Sequence, residues 1–142
     1  MCPANTVIRA LLHHLIVKRK EVVVTDMEAG VEHMGRATAQ HVDTMLIVAD
    51  STLKSMETAK KLYALAKELG IKKAFLVGNK VKDEKESELI ESFALQNKIP
   101  LLGLIPYDEE ILKADMNGES PLEHAETSTG IAAIRKLGEK LL

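Results

Sequence analysis

Short apolar runs and longer series of helically spaced apolar residues take turns along this chain. The runs lack polar alternation, which is typical of strands that are buried on both faces of a parallel sheet. They predict four strands, at Val22–Thr25, Asp43–Asp50, Lys73–Val77 and Ile99–Ile105. The series between them place apolar residues three and four positions apart, which is typical of helices that bury one face.

The helical series predict helices at residues 7–16, 36–40, 53–69, 83–94, 111–112 with their neighbours, and 131–141. Ser51 or Thr52 is expected to cap the long helix that begins at residue 53. Asp83 with Glu86 three positions later forms a capping-box pattern at the start of the next helix. The stretch Ser120–His124 is typical of an exposed connection.

The alternation of strands and helices predicts an α/β fold for the chain. We expect one domain over residues 1–142, with three layers and a mainly parallel sheet that carries helices on both faces. In this sheet the predicted strands are expected either to pair in the order 1-2-3-4 or to leave an edge that a second copy of the chain covers. The first and last helices, around Leu11 and Ile134, are expected to share one face.

Composition narrows the function classes. The 142 residues include 19 basic and 21 acidic side chains, for a net charge of −2, so no basic surface points to nucleic acid or to an anionic membrane. The two Phe, two Tyr and no Trp leave few platforms for stacking nucleic-acid bases. A single cysteine excludes an intramolecular disulfide, and no apolar run has membrane-spanning length. These features predict a cytoplasmic protein.

The first candidate chemistry follows the Val22–Thr25 run. Asp26 stands directly after it and Gly30 lies four positions further on, in an Asp-x-x-x-Gly pattern. A carboxylate at a strand end can hold Mg²⁺ or its water, and a glycine lets the backbone approach a phosphate closely. Alone, the pattern is weak, because a buried strand that ends in Asp and a turn glycine is ordinary architecture and is the favoured interpretation. Four ionisable side chains crowd the same loop: Glu28, Glu32, His33 and Arg36.

The string from Asp26 to Arg36 resembles the switch II signature of the carbon monoxide dehydrogenase accessory ATPases, the CooC family. These belong with MinD and ParA to the deviant-Walker-A branch of P-loop proteins. The resemblance implies an ATP/ADP site with Mg²⁺, in which Asp26 binds the Mg²⁺ water network and Gly30 senses the γ-phosphate. It assigns Glu28, Glu32, His33 and Arg36 to a switch that relays the nucleotide state.

Two further loops resemble base-contacting segments of this branch. Asn79-Lys80 resembles the loop whose Asn amide reads the purine, although a loop Asn that caps its own turn is an ordinary alternative. Guanine recognition needs an Asp where this chain has Lys82, so the resemblance implies adenine. Pro106-Tyr107-Asp108 resembles the second base-contacting loop, which uses mostly backbone atoms.

Cys2 resembles the second member of a Cys-x-Cys pair in the CooC family. Two such pairs meet across a homodimer and bind a metal through four thiolates, a ligand set suited to Ni²⁺ or Zn²⁺. The resemblance therefore implies a homodimer with carbon monoxide dehydrogenase as client. A lone cysteine near a terminus is otherwise simply a free thiol.

The sequence holds no Gly-rich Walker A loop. It therefore resembles the C-terminal part of a CooC protein that starts at an internal Met, and it is expected not to hydrolyse ATP alone. Two rivals stay open. A MinD- or ParA-like positioning protein predicts a basic last helix, whereas this one mixes Arg135, Lys136, Glu139 and Lys140. The other rival is a non-enzymatic α/β regulatory or scaffold module.

Overall fold

A computed structural model describes residues 22–27 and 42–141. Within these ranges the chain forms three strands and five helices. The strands are β1 (Thr44–Ala49), β2 (Lys73–Val81) and β3 (Leu101–Pro106). The helices are α1 (Leu53–Glu68), α2 (Glu84–Gln96), α3 (Glu109–Asn117), α4 (Pro121–His124) and α5 (Thr129–Glu139).

The three strands are parallel and lie in the order β1-β2-β3, which confirms the sequence order predicted for them. In the register of β1 with β2, Ile47 stands opposite Leu76. Strand β2 continues to Val81, four residues beyond the predicted end, and its pairing with β3 is irregular there. The extension exists because the N–H of Tyr107 donates to the carbonyl of Val81 over 2.8 Å, which continues the pairing past the end of β3.

Helices lie on both faces of the sheet, but β1 is not buried on both faces as expected, since Leu46 and Val48 are 42% and 58% exposed. A Cβ atom added at Gly78 would meet Leu104 and Ile90 of α2, so the face that carries Leu104 lies under α2. The neighbouring residue Gly103 points to the opposite face, and its added Cβ would lie 2.7 Å from a methyl group of Leu137 in α5. This arrangement confirms the expected three layers. The part of the last helix that meets the sheet is Leu137, whereas Ile134 is 42% exposed.

The main core lies between the sheet and the helices α1 and α2. Its fully buried large side chains are Ile47, Leu76 and Ile90, one from each of β1, β2 and α2. Met56 and Ala59 of α1 complete the same cluster. Because parallel strands and their crossover helices bury such side chains together, the core fixes where the strands end on the surface.

Local capping chemistry sets the starts of the crossover helices. Of the two candidates for α1, Thr52 is the cap, and its hydroxyl accepts from the N–H of Ser55 over 3.3 Å. The predicted box at α2 is confirmed, since Asp83 accepts from the N–H of Glu86 over 2.8 Å. The carboxylate of Glu86 in turn accepts from the N–H of Lys82 over 2.9 Å. Both ends of the loop between β2 and α2 are therefore held.

The strand predicted at Val22–Thr25 is wrong in this structure. Residues 22–27 have no regular secondary structure, and the side chains of Val22 and Val24 are 70% and 88% exposed. A β-branched run forms a strand only where a neighbouring edge pairs with it, and none of the described strands does so here. The order 1-2-3-4 is therefore not formed. Coverage of the outer edge of β1 by a second copy stays a prediction.

One connection is also more regular than expected. The stretch Ser120–His124, predicted as an exposed connection, contains the one-turn helix α4 with Pro121 at its first position, where a missing N–H costs nothing. The predicted helices at 7–16 and 36–40 lie outside the described residues.

Candidate functional site

The carboxyl ends of the three strands meet at one edge of the sheet. Asp50 follows β1, Asn79 and Lys80 lie near the end of β2, and Pro106 to Asp108 end β3 and lead into α3. Open parallel sheets bind ligands at this edge, because the loops there converge while the helices cover the faces. The structure thus brings together both of the loops singled out as base-contacting segments.

Asn79 and Lys80 form a tight turn of the backbone inside the last part of β2. Lys80 has a φ of 56°, in the left-handed region that residues with a side chain seldom adopt. The side-chain oxygen of Asn79 accepts from the N–H of Lys80 over 3.0 Å and so stabilises this conformation. Asn79 therefore caps its own turn, as the alternative interpretation of this residue predicted. Its amide nitrogen makes no hydrogen bond with other described residues.

Tyr107 and Lys82 connect the two loops across the sheet edge. The ammonium nitrogen of Lys82 lies 5.6 Å from the centre of the Tyr107 ring, within the range of a cation–π contact. Tyr107 is 39% exposed. An exposed aromatic ring beside a cation offers a flat surface to a planar ligand.

Asp108 joins two helices to the loop. One carboxylate oxygen accepts from the N–H of Glu110 over 3.0 Å at the start of α3. The other accepts from the N–H of Gly130 over 2.7 Å and from the hydroxyl of Thr129 over 3.4 Å, at the start of α5. The Gly130 N–H holds the pKa of Asp108 below its usual range, so this carboxylate is ionised at neutral pH.

Sequence reasoning missed Asp50 as a site residue. The Thr52 hydroxyl donates to Asp50 over 2.6 Å and lowers the pKa of Asp50, to which the positive charge of Lys80 also contributes. An ionised carboxylate therefore stands beside the Asn79-Lys80 turn. The signal in the sequence was the Asp directly after an apolar run, the same signal that pointed to Asp26.

A shallow cavity of about 190 Å³ opens between the two loops and the start of α2. Its walls are Val81, Lys82, Asp83, Ser87, Leu104 and Pro106. Asn79 and Lys80 do not line it. The cavity and the Asn79-Lys80 turn are therefore two adjoining parts of the same edge rather than one pocket.

Of the remaining predicted site residues, the structure describes only Asp26. Asp26 is exposed and follows no strand, so its expected place at a strand end is wrong here. Gly30, Cys2 and the switch residues lie outside the described residues: Glu28, Glu32, His33 and Arg36. Over residues 22–27 and 42–141, no group of three or more His, Cys, Asp or Glu side chains could hold a metal ion. Within those ranges no helix has both the length and the apolar character needed to cross a bilayer.

Comparison with solved structures gives the same fold. A ParA family ATPase from Chlorobium tepidum superposes with a TM-score of 0.75 at 24% identity, over 95% of this chain and 55% of that one. The MinD cell division protein of Aquifex aeolicus superposes with a TM-score of 0.65 at 19% identity, over 79% of this chain and 49% of that one. The parallel sheet with its helices is thus the P-loop NTPase-like fold of ParA and MinD.

Sequence comparison identifies the family. An uncharacterized ATP-binding protein of Methanocaldococcus jannaschii is 47% identical over 84% of this chain and 46% of its own length. The carbon monoxide dehydrogenase accessory protein CooC of Rhodospirillum rubrum is 41% identical over 84% of this chain and 45% of its own length. The chain thus spans about half the length of these relatives. The model of the CobQ/CobB/MinD/ParA nucleotide binding domain matches residues 6–122, and the chain belongs to this family.

Proposed function

We propose that this chain carries the base-binding end of an adenine-nucleotide site in a MinD- and ParA-like ATP-binding protein. The observation that supports this most directly is the meeting of the Asn79-Lys80 turn with the Pro106–Asp108 loop, at the carboxyl ends of neighbouring strands. Family membership supports the nucleotide as ligand.

The chemistry of these loops fits an adenine ring. The amide nitrogen of Asn79 makes no hydrogen bond with described residues and is available to donate to a ring nitrogen of the base. The exposed ring of Tyr107 offers a face for contact. Lys82 stands where recognition of guanine needs a carboxylate, and an ammonium group cannot accept the hydrogen bonds that guanine donates. The loops therefore favour adenine over guanine.

The proposed binding of the phosphates and of Mg²⁺ rests on family membership. When bound, Mg²⁺ neutralises phosphate charge, and Asp26 would hold its water ligands while Gly30 approaches the γ-phosphate. Glu28, Glu32, His33 and Arg36 would report the nucleotide state to a partner. Because the sequence holds no Gly-rich Walker A loop, we expect no ATP hydrolysis by this chain alone.

We further propose an accessory role in metal insertion, of the kind that the name of the Rhodospirillum rubrum relative describes. In this proposal the chain acts as a homodimer, carbon monoxide dehydrogenase is the client, and Cys2 ligates Ni²⁺ or Zn²⁺ at the dimer interface. A MinD- or ParA-like positioning protein and a non-enzymatic module remain the competing functions.

Titration of the ¹⁵N-labelled chain with ATP and with GTP tests base binding. We expect ATP to shift the backbone amides of Asn79, Lys80 and Tyr107 at millimolar concentration, and GTP to shift them less. Replacing Asn79 with alanine should weaken ATP binding about fivefold, since one hydrogen bond contributes about 1 kcal/mol.

The matched control for that substitution is Gln96→Ala. Gln96 is exposed at the last position of α2, remote from the strand ends where the loops meet. The Gln96→Ala variant should bind ATP as tightly as the original chain and show the same amide shifts. Equal shifts with ATP and GTP would contradict the preference for adenine. Shifts scattered away from the two loops would contradict a base-binding site there and favour a module without nucleotide chemistry.

Metal titration tests the accessory role. A chain with one thiolate supplies two ligands to a dimer, so we expect weak binding of Ni²⁺ or Zn²⁺ that Cys2→Ala abolishes and that a Cys-x-Cys variant strengthens by orders of magnitude. Sedimentation in the presence of the metal should show a dimer. An affinity that is the same in the chain and in its Cys2→Ala variant would remove Cys2 from the account.

A further inference from the structure

We propose that Asp108 is the positioning residue of the base-contacting loop: its carboxylate ties the loop to the start of α5 and so holds the Tyr107 ring beside Lys82. The inference rests on the proposed function only for its nucleotide measurement.

The hydrogen bonds of Asp108 join parts of the chain that are far apart in sequence. Gly130 lies 22 positions beyond Asp108, yet its N–H donates to the carboxylate over 2.7 Å. An ionised acceptor makes such a bond shorter and stronger than a neutral one. The remaining oxygen caps α3 through Glu110, so the side chain serves two helices at once.

The absence of a side chain at Gly130 allows this close contact. A Cβ atom at this position would lie 3.0 Å from both the Cβ and a carboxylate oxygen of Asp108, and 2.7 Å from a methyl group of Ile111. Only a residue without a side chain lets the start of α5 come this close to the loop. The approach therefore depends on both partners, Asp108 and Gly130.

Helix α5 can support the loop because its C-terminal end is attached to β3 independently of Asp108. Near its C-terminus Leu137 packs against Gly103, and the ammonium group of Lys140 donates to the carbonyl of Leu102 over 2.8 Å. At its N-terminus the attachment is Asp108. A loop tied to a fixed helix keeps one conformation, and a preformed loop binds its ligand without the cost of ordering.

The test distinguishes the two roles of Asp108, which are the hydrogen bond to Gly130 and the cap of α3. Serine is a good cap but is too short to reach Gly130, so Asp108→Ser should keep α3 capped while it releases the loop from α5. Gly130→Ala breaks the same contact from the other side. Gly138→Ala is the matched control in the same helix, since nothing lies within 4 Å of its added Cβ.

The first measurement needs no nucleotide. The Tyr107 ring should shift the NMR signals of the Lys82 side chain upfield, and Asp108→Ser and Gly130→Ala should reduce that shift. The pair of Lys67 with the Tyr63 ring, 5.3 Å apart in α1, is an internal control that should not change in any variant. An unchanged Lys82 shift in both variants overturns the proposal, whatever ATP does.

The second measurement is ATP affinity. If the released loop holds the binding conformation about one fifth of the time, the dissociation constant rises about fivefold in Asp108→Ser and Gly130→Ala but not in Gly138→Ala. A reduced Lys82 shift with unchanged ATP affinity would overturn the role in base binding. Absence of ATP binding by the original chain would instead contradict the proposed function. The Lys82 shift alone would then decide whether Asp108 positions the loop.

Discussion

Replacing Leu76 with alanine is expected to lower the free energy of unfolding by about 2–5 kcal/mol. Leu76 lies in the central strand β2, its side chain is fully buried, and it shares a core cluster with Ile47 and Ile90. Truncation removes apolar contacts and leaves a cavity that the surrounding β-sheet and helices cannot close. Since small domains are stable by only about 5–15 kcal/mol, much of the stability would be lost. Urea unfolding followed by circular dichroism measures the change.

Leu95→Ala provides the control for that experiment. Leu95 lies in α2 with 81% of its surface exposed, so its truncation deletes the same atoms without opening a cavity. The free energy of unfolding should change by no more than about 0.5 kcal/mol. Similar losses for the two variants would show that the central strand is not packed as described.

The three observed strands could be predicted because each contains a short apolar run without polar alternation. Such a run needs no knowledge of its neighbours to be recognised, and the same holds for the cap at Asp83, whose partner Glu86 is three positions away. The fold class therefore followed from patterns that act over short distances along the chain. These patterns also placed the helices between the strands.

At Val22–Val24 the same kind of pattern gave a wrong prediction. The run has the composition of a buried strand, yet residues 22–27 form no regular structure and Val24 is 88% exposed. Composition reports only that a segment suits a strand, whereas pairing depends on an available edge and on the residues that flank the segment. Asp26 does not follow a strand end as expected, because the run before it forms no strand.

Within the candidate site, the loop residues were found by resemblance and their connections were not. Asn79, Lys80 and Tyr107 lie at the edge where the resemblance places base contacts, and their role in binding stays a prediction. The bond between Asp108 and Gly130 spans 22 positions and leaves no periodic trace in the sequence. Contacts of this kind depend on how α5 packs on β3, which only the folded chain determines.

Gly78 is the position where stability and site geometry meet most directly. It is buried in β2, where its added Cβ would lie 3.1 Å from the end of Ile90 and closer still to Leu104. Both neighbours belong to a packed core and have little room to move, so Gly78→Val should cost about 1–3 kcal/mol through overpacking. Urea unfolding is again the measurement.

Gly138→Val is the matched control, because it adds the same atoms at a position where an added Cβ would have no neighbouring atom within 4 Å outside its own helix turn. Valine suits a helix slightly better than glycine does, so the control should be neutral or gain a few tenths of a kcal/mol, on the order of 0.3. Gly78→Val should also move the amide signals of Asn79, which follows it directly, and weaken any binding of ATP to that turn. A Gly78→Val variant as stable as the control, with unshifted Asn79 signals, would mean that β2 and α2 are more loosely packed beneath the site than the structure shows.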